Sequence, residues 1–423
     1  MAVPGLAAEH PKETRVVTRH HLSILLLNHN VRGKSTYFRC LHFGTQLVAR
    51  GHEVTLLTIS PAARVGFHED VQRGIRILET PDLLSGRLRS GWDFWDTACR
   101  IAWLGRRRFD LIHAFDCRPV VIFPALFARY LQHTPLIIDW ADWWGRGGVI
   151  KDRAAGPLNR LFEPVETYFE EAFRRYADGW TVTSRALRAR AAGLGLPEER
   201  VLYLPSGCDV EFIRPLDKGA ARRELGLPIN TPIVEFVGFV LYDLAFAVQA
   251  FAHLHRTRPD ARLLLVGAVT DEIRHQAVAQ GVADAIIEAG PQPFTRVPSY
   301  LAAADVLLMP FTDRLANIGR WPIKVGDYMA AGRPIVTSPV GDMPLLFTHE
   351  QIGLLAPDQP APFAQAVGRL LADPVLAEKL GQNARRVAEE RYAWSRLTPL
   401  LESYYFDVLS RCGHFAISNA NLP

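Results

Sequence analysis

The sequence predicts an α/β protein of two doubly wound domains, each built around a parallel sheet. The chain has 423 residues, 48% of them hydrophobic and 22% charged, which is too long for one core and too apolar for disorder. Short apolar runs alternate with segments of helical period, as is typical of parallel sheets covered by helices. A segment rich in Pro, Gly and Asp at 205–215 divides this alternation into two series.

The first series follows a polar lead-in at 1–20 and predicts an N-terminal Rossmann-like domain over 21–205. The run from Leu22 to Leu27 indicates a strand buried on both faces. A helical stretch from Tyr37 to Arg50 leads into a strand from Glu53 to Ile59, which completes a βαβ unit. Further predicted elements are strands at 111–115, 136–138, 180–183 and 201–204 and a helix at 162–176.

The second series predicts a C-terminal Rossmann-like domain over 206–390, with 205–215 as the hinge between the two domains. Its predicted strands are 233–237, 262–266, 285–288, 306–309 and 334–337. The chain is helical by period from 374 to 409, and we expect the end of it, 391–423, to be a helix and tail that packs back on the N-terminal domain. The residues at core spacing in this stretch are Trp394, Leu397, Leu400, Leu401 and Tyr404.

Composition and charge exclude several classes of protein. The five cysteines form no C-x-x-C pair or Cys/His cluster, which argues against a disulfide framework and a zinc site. No apolar run is long enough to span a bilayer, and the first twenty residues lack the apolar centre of a signal peptide. A net charge of +4 is too small to indicate nucleic acid as a partner. We therefore expect a cytoplasmic protein.

Known phosphate and nucleophile motifs are incomplete. Gly33, Lys34 and Ser35 sit where a Walker A loop would end, but Asn28 stands where that loop needs its first glycine. Neither domain has G-x-G-x-x-G after its first strand, which disfavours a dinucleotide oxidoreductase. A G-x-S-x-G nucleophile elbow is also absent from the sequence.

The most informative stretch runs from Asn317 to Asp342. A Gly- and Pro-containing loop precedes a short helix on which Lys324 and Asp327 are three residues apart, so they share one face near its N-terminus. Free N–H groups, the positive end of the helix dipole and a lysine suit a diphosphate, and a carboxylate can accept hydrogen bonds from ribose hydroxyls. An ordinary helix-face ion pair explains these two residues equally well.

The same stretch resembles the donor-binding signature P-x-K-x-x-E-Y-M-A-A-G-x-P-V-V of the retaining GT-B glycosyltransferases, the "glycosyl transferases group 1" family. The matching residues are Pro322, Lys324, Tyr328, Met329, Ala330, Ala331, Gly332, Pro334 and Val336, with Asp327 in place of Glu. Weaker similarities to the family lie at 50–58, 110–116, 204–209 and 302–311. They span nearly the whole chain in the family's order.

The resemblance implies a GT-B fold, in which two Rossmann-like domains face a central cleft. The C-terminal domain would hold a nucleotide-sugar donor as substrate, with Lys324 on the diphosphate and Asp327 on the ribose, and the N-terminal domain would hold the acceptor. Further donor contacts are expected from Gly33, Lys34, Gly238, Arg320, Pro322, Gly341 and Asp342. His113 and Asp116 would face the cleft as catalytic residues, although His113 fits a core histidine equally well. The resemblance also implies that the anomeric configuration of the sugar is retained and that the reaction needs no metal or cofactor.

Four departures from the family's pattern bear on the site. Gly319 stands where the first acid of the family's E-x7-E pair contacts the donor sugar. The basic residues expected after the first strand of the C-terminal domain are missing, with Phe239 following Gly238, and Phe115 replaces a histidine. The usual Gly-Gly loop reads Arg32, Gly33, Lys34. Arg32, Lys34, Arg314 or Arg320 would then supply charge toward the phosphates.

The acceptor domain is rich in tryptophan and arginine. The segment 87–109 carries Trp92, Phe94, Trp95 and Trp103 beside several arginines, which suits a membrane headgroup region and a lipid-linked acceptor. Packing under the sheet is the alternative. Trp143 and Trp144 are candidates for stacking on an acceptor, so glycan, lipid-linked and small-molecule acceptors all stay open. Rival functions are a nucleotide-sugar epimerase or hydrolase of GT-B fold and a non-catalytic nucleotide-sugar-binding subunit.

Overall fold

The structure is a computed structural model that describes residues 21–62, 64–82, 91–152, 157–238 and 240–414. Within them lie two sheets, one of eight strands and one of six. Parallel strands buried under helices on both faces are what the continuous apolar runs predict. The predicted class, two Rossmann-like α/β domains, is therefore confirmed.

The N-terminal sheet has the strand order β3-β4-β2-β1-β5-β6-β7-β8 and is parallel except for the β3–β4 pair. Its strands are β1 Ser23–Val31, β2 Glu53–Ile59, β3 His68–Gln72, β4 Ile75–Thr80, β5 Leu111–Phe115, β6 Leu136–Trp140, β7 Gly179–Val182 and β8 Val201–Tyr203. The helices are α1 Thr36–Ala49, α2 Phe94–Leu104, α3 Pro119–Gln132, α4 Pro157–Ala172 and α5 Arg185–Gly193. The carboxyl ends of β1, β5 and β6 meet at one edge, because Leu26 pairs with His113 and His113 with Ile137.

The C-terminal sheet has the order β11-β10-β9-β12-β13-β14 and is parallel throughout. Its strands are β9 Ile233–Val237, β10 Arg262–Val266, β11 Ile286–Gly290, β12 Val306–Met309, β13 Ile335–Thr337 and β14 Gly353–Leu355. The helices are α6 Lys218–Leu225, α7 Leu241–Thr257, α8 Asp271–Ala279, α9 Val297–Ala303, α10 Leu315–Ile318, α11 Ile323–Ala330, α12 Met343–Glu350, α13 Pro360–Ala372 and α14 Pro374–Val387.

The chain crosses between the domains twice, and the two crossings touch. The Cys208 N–H donates to the Tyr392 carbonyl at 2.9 Å, and the Trp394 N–H donates to the Cys208 carbonyl at 3.3 Å. Gly207 packs against the Trp394 indole so closely that a Cβ there would lie 2.8 Å from the ring. The crossings therefore form one paired connection.

The final helix, α15 Trp394–Arg411, belongs to the core of the N-terminal domain. Its residues Leu401 and Tyr405 pack with Leu26 of β1, and the Glu402 carboxylate accepts a hydrogen bond from His52 Nε2 at 2.8 Å. Leu400, placed at core spacing by the sequence, is 53% exposed, because the helix turns that face to solvent. The expectation that Leu400 is a core residue is wrong.

Candidate active site

A positively charged group lies at the carboxyl edge of the C-terminal sheet. Lys324, on α11, reaches the Asp243 carboxylate at 3.9 Å, and Arg320 reaches the same oxygen at 3.4 Å. The Lys324 ammonium also lies 4.3 Å from the centre of the Phe236 ring. Two cations therefore share one carboxylate, which leaves one positive charge in excess.

Burial controls the ionisation of this group. Burial is the main cause that lowers the pKa of Lys324 to about 8, and the Asp243 carboxylate opposes it. Asp243 is itself fully buried, which raises its pKa, while Lys324 and Arg320 act to lower it. An anion entering this site would offset the cost of desolvating the Lys324 ammonium and so favour its charged form.

Backbone groups add to the positive potential. The helices α7, α11 and α12 begin at Leu241, Ile323 and Met343, and none of them has a side-chain cap at its N-terminus. The first N–H groups of α7 and α11 are thus available to an anion, whereas the Met343 N–H of α12 donates to the Val340 carbonyl at 3.2 Å. Gly238, after β9, has a φ of 147°, a conformation that favours glycine, and lies beside the Lys324 ammonium.

Asp327 lies one turn further along α11. Lys324 pairs with Asp243, and no ion pair joins Lys324 to Asp327 among the described residues. The helix-face ion pair that would explain these two residues is thus not formed. Burial raises the pKa of Asp327 to about 7, with the nearby Asp209 carboxylate adding to it. Pro322 is the residue before the first turn of this helix.

The N-terminal sheet presents a different group at its carboxyl edge. Asp116 follows β5 with a φ of 84°, an unusual backbone conformation for a residue other than glycine. Its carboxylate lies 3.2 Å from Arg118, 3.7 Å from Arg174 and 3.8 Å from His29. These three groups lower the pKa of Asp116 against the effect of burial. Its position at the end of β5 is the one expected from the sequence.

His113 lies in the core. Its side chain is fully buried, with Nδ1 2.7 Å from the Tyr405 hydroxyl and Nε2 3.0 Å from Thr181 Oγ1. Burial lowers its pKa to about 4. The expectation that His113 faces the cleft is wrong, because its side chain alternates to the face of β5 that α15 covers.

The two domains touch through a tryptophan and a glycine. Trp143, in the loop after β6, packs so closely on Gly319 that a Cβ at position 319 would lie 2.2 Å from the Trp143 Cβ. The Ser184 hydroxyl donates to the Gly319 carbonyl at 3.1 Å. An acid at position 319 would therefore collide with Trp143 in this arrangement of the two loops.

A second contact between the domains involves Asp342. Its carboxylate accepts hydrogen bonds from the Arg185 N–H at 3.1 Å and the Tyr203 hydroxyl at 2.9 Å. Gly341, before it, has a φ of 59° and lies close to the Asn317 carbonyl. The structure places Asp342 in this interdomain contact, so the expectation that its carboxylate serves the donor is corrected.

The loop after β1 carries less free charge than its sequence suggests. Arg32 donates to Glu79 at 2.8 Å and to Asp70 at 2.5 Å, which ties it to the β3–β4 pair. These ion pairs do not favour the predicted role of Arg32 toward phosphates, which stays a prediction. Gly33, with a φ of 84°, and Lys34 are both exposed.

The tryptophans proposed for the acceptor are both packed. The Arg190 guanidinium lies 4.4 Å from the Trp143 ring, and Arg118 lies 4.4 Å from the Trp144 ring. The Trp144 indole N–H also donates to Glu166. Each ring therefore already lies against an arginine, and both tryptophans are half-buried, so stacking of an acceptor on them stays a prediction.

The tryptophan- and arginine-rich segment is mixed in its exposure. Phe94 is 74% and Trp95 45% exposed, whereas Trp103 packs inward. Arg100 is fully buried and pairs with Asp96 at 2.8 Å. Residues 83–90, which include part of this segment, lie outside the described residues. No helix in the described part of the chain is both long and apolar enough to cross a membrane.

A cavity of about 810 Å³ lies away from these groups, on the C-terminal domain. Its basic residues are already engaged: Lys218 and Arg222 pair with Asp305, and Arg385 donates to the carbonyls of Ile213 and Ala330. The facing sheet edges, and not this cavity, are therefore the candidate active site.

Comparison with known proteins identifies the family. The model for "Glycosyl transferase 4-like domain" matches residues 38–207, and that for "Glycosyl transferases group 1" matches residues 231–373. These two matches cover most of the chain and divide at the same hinge as the sheets. The chain belongs to the GT-B glycosyltransferase family.

Individual relatives agree with this assignment. The chain is 32% identical over 230 residues to a D-inositol 3-phosphate glycosyltransferase of Acidothermus cellulolyticus, which covers 51% of this chain and 50% of that protein. The chain thus spans about half the length of that curated relative in the match.

Solved structures support the GT-B fold. Sucrose-phosphate synthase from Thermosynechococcus elongatus superposes with a TM-score of 0.73 at 20% identity, over 92% of this chain and 99% of that one. The Anabaena protein HepE in complex with UDP-glucose superposes with a TM-score of 0.68 at 17% identity, over 92% of this chain and 100% of that one.

Sequence reasoning missed part of this candidate site. Asp243, which holds both Lys324 and Arg320, is not among the residues predicted from the sequence. Arg118 and Asp142 were not considered. Each follows the carboxyl end of a parallel strand, β5 and β6 respectively, and that position was the available signal.

Proposed function

We propose that this chain transfers a sugar from a nucleotide-diphosphate donor to a glycan, lipid-linked or small-molecule acceptor, with retention of the anomeric configuration. The observation that carries the proposal is the pair of cations, Lys324 and Arg320, held by the single carboxylate of Asp243. The excess positive charge and the uncapped helices α7 and α11 suit a diphosphate. The UDP-glucose bound by the structural relative HepE is a donor of this kind.

The chemistry of sugar transfer fits these groups. As the anomeric C–O bond breaks, positive charge develops on the sugar and negative charge on the departing diphosphate. Lys324, Arg320 and the helix N-termini would stabilise the leaving diphosphate in a site that is already organised. Because side chains and backbone supply this charge, we propose that no metal ion or cofactor is needed, so activity should survive treatment with EDTA.

Asp327 is proposed to receive the ribose. A carboxylate whose pKa burial has raised to about 7 gains stability when hydroxyl groups donate to it. It shares α11 with Lys324, so one helix would hold both the ribose and the diphosphate. We propose a same-face attack by the acceptor, which gives retention and needs no nucleophile from the protein. The anomeric configuration of the product, measured by NMR, tests this part.

The acceptor is proposed to bind against the N-terminal domain, near Asp116 and Arg118 at the end of β5. The exposed side chains of Phe94 and Trp95 support contact with a membrane surface and hence a lipid-linked acceptor. Binding to anionic vesicles that is lost when both are changed to serine would support this. Equal binding by the variant would leave glycan and small-molecule acceptors.

Calorimetric titration with UDP, GDP, ADP and dTDP tests the donor site. We expect one nucleotide to bind selectively and Lys324→Ala to weaken it about 10- to 100-fold, as for loss of a charge-assisted contact of about 1.5–3 kcal/mol. Affinity should also fall as the pH rises through about 8, where Lys324 loses its proton. Lys379→Ala, on the exposed face of α14, is the matched control. If no nucleotide binds the wild-type protein, the proposal fails.

A further inference from the structure

Asp142 is a carboxylate in the cleft without a partner. It lies two residues after β6 and is half-buried. Its carboxylate forms no hydrogen bond or ion pair within the described part of the chain. The neighbouring carboxylates differ, since Asp116 pairs with Arg118 and Asp139 with Arg39. Asp142 is therefore the acid at this edge that the protein leaves unsatisfied.

Its location is fixed by the contact between the domains. The next residue, Trp143, packs directly on Gly319 and holds this part of the loop against the opposite domain. Ser184 supports the contact from beside it, through its bond to the Gly319 carbonyl. Asp142 is therefore next in sequence to the residue that packs on position 319, where the family carries the acid that contacts the donor sugar.

The charges that act on Asp142 come from both domains. Arg320 of the C-terminal domain and Arg118 of the N-terminal domain lower its pKa, while burial, Asp116 and Asp139 raise it. Arg320 is one of the two cations proposed for the diphosphate. Asp142 is thus within electrostatic range of a cation proposed to contact the phosphates to which the sugar is attached. A half-buried carboxylate that has no donor among the described residues can accept hydrogen bonds from sugar hydroxyls.

We propose that Asp142 is a specificity-determining residue that accepts hydrogen bonds from hydroxyl groups of the donor sugar. It would supply, from the N-terminal domain, the carboxylate that position 319 lacks. This inference rests on the proposed nucleotide-sugar function. It predicts that sugar recognition is assembled only when the two domains meet.

The test compares each nucleotide with its sugar conjugate. Calorimetry is run with UDP and UDP-glucose, GDP and GDP-mannose, ADP and ADP-glucose, and dTDP and dTDP-glucose. For the pair that binds, we expect Asp142→Ala to bind the nucleotide within twofold of wild type. The same variant should bind the sugar conjugate at least tenfold more weakly than the wild type does, after correction for any change in binding of the nucleotide. Asp142→Asn, which keeps the shape of the side chain, should bind the conjugate with an affinity between those of the wild type and Asp142→Ala.

Two controls separate recognition from structure. Asp284→Asn removes an exposed carboxylate of the C-terminal domain and should bind all ligands as wild type does. A donor that lacks the sugar hydroxyl bound by Asp142 should bind the wild type more weakly than the complete donor does. The same deoxy donor should bind Asp142→Ala as well as the complete donor does. Equal weakening of nucleotide and conjugate in Asp142→Ala, or no change in either, would overturn the inference. If the wild type binds none of the eight ligands, the nucleotide-sugar function itself fails.

Discussion

The carboxyl edges of the two sheets face each other but handle charge in opposite ways. At the N-terminal edge, Asp116 pairs with Arg118 and Arg174, and Asp139 pairs with Arg39, all three arginines being buried. With Asp142, this edge carries three carboxylates for three arginines. At the C-terminal edge, the one carboxylate of Asp243 pairs with both Lys324 and Arg320. The balanced edge suits a neutral polyhydroxyl group such as a sugar, and the unbalanced edge suits an anion. The difference shows how one cleft can accept both ends of a nucleotide-sugar.

Buried histidines of the N-terminal domain and the buried Glu235 of the C-terminal domain make the stability of the two domains depend on pH with opposite signs. His29, His42 and His113 in the N-terminal domain have pKa values lowered to about 4 by burial. These histidines are buried in their neutral form, so the stability that depends on them is fully present above the unfolded pKa of about 6.5. It is lost as the pH falls toward 4, because the unfolded chain takes up protons first. In the C-terminal domain, burial raises the pKa of Glu235 to about 8. Its contribution is present at low pH and is lost as the pH rises from about 4.5 to 8.

The largest effect is expected from Glu235→Gln. Glu235 is fully buried in β9, and both of its carboxylate oxygens lack a partner among the described residues. The wild-type C-terminal domain should lose roughly 1.4 kcal/mol of stability per pH unit as the pH rises through this window, and the glutamine variant should not. Hydrogen exchange of the β9 amides between pH 5 and 8.5, with β5 amides as the internal control, measures it. Equal pH dependence in both proteins would contradict the opposite signs.

A smaller effect is expected from Gly319→Ala, which acts on the contact between the two edges. The added Cβ would lie 2.2 Å from the Trp143 Cβ, so one loop must move at a cost of about 1–3 kcal/mol. We expect a lower melting temperature and weaker binding of the sugar conjugate than of the free nucleotide. Gly193→Ala on α5, where a Cβ meets nothing within 4 Å, is the matched control. A Gly319→Ala protein with wild-type melting and binding would show that the edges do not need this contact.

The smallest effect is expected from Tyr203→Phe. It removes only the hydroxyl that donates to Asp342 at 2.9 Å and leaves the ring, which Arg185 approaches to 5.6 Å. The loss of one hydrogen bond, about 1 kcal/mol, should loosen the two edges slightly. Small-angle scattering and the Michaelis constant for the donor would register a more open average cleft. An unchanged scattering profile would show that this hydrogen bond does not hold the domains together and that the contact between Trp143 and Gly319 does.

The sequence predicted the parts of the fold that continuous apolar runs encode. The strands at 53–59, 111–115, 233–237, 262–266 and 306–309 have the predicted bounds, because each run is buried on both faces. Three strands, β3, β4 and β14, were missed. β3 is a largely exposed edge strand and β14 has only three residues, so neither carries a periodic signal, whereas β4 is a short buried run that was overlooked.

The site was less predictable because its geometry depends on distant segments. Nothing near His113 shows that α15 covers it, and nothing near Trp143 shows that it packs on Gly319. Lys324 was recognised through a continuous motif, whereas its partner Asp243 lies on another helix. A role that depends on one motif can be predicted from sequence, and a role that depends on contact between domains requires the structure.

The position of α15 sets the order in which the molecule can be made. The N-terminal domain buries one face of its sheet under residues 394–411, which the ribosome synthesises after the whole C-terminal domain. Until then Leu26 and Phe43 lack their partners Leu401 and Trp394. The second domain can therefore complete its core before the first, against the usual order of folding during synthesis. A chain released early, without its final helix, would carry an open hydrophobic face and be a substrate for chaperones.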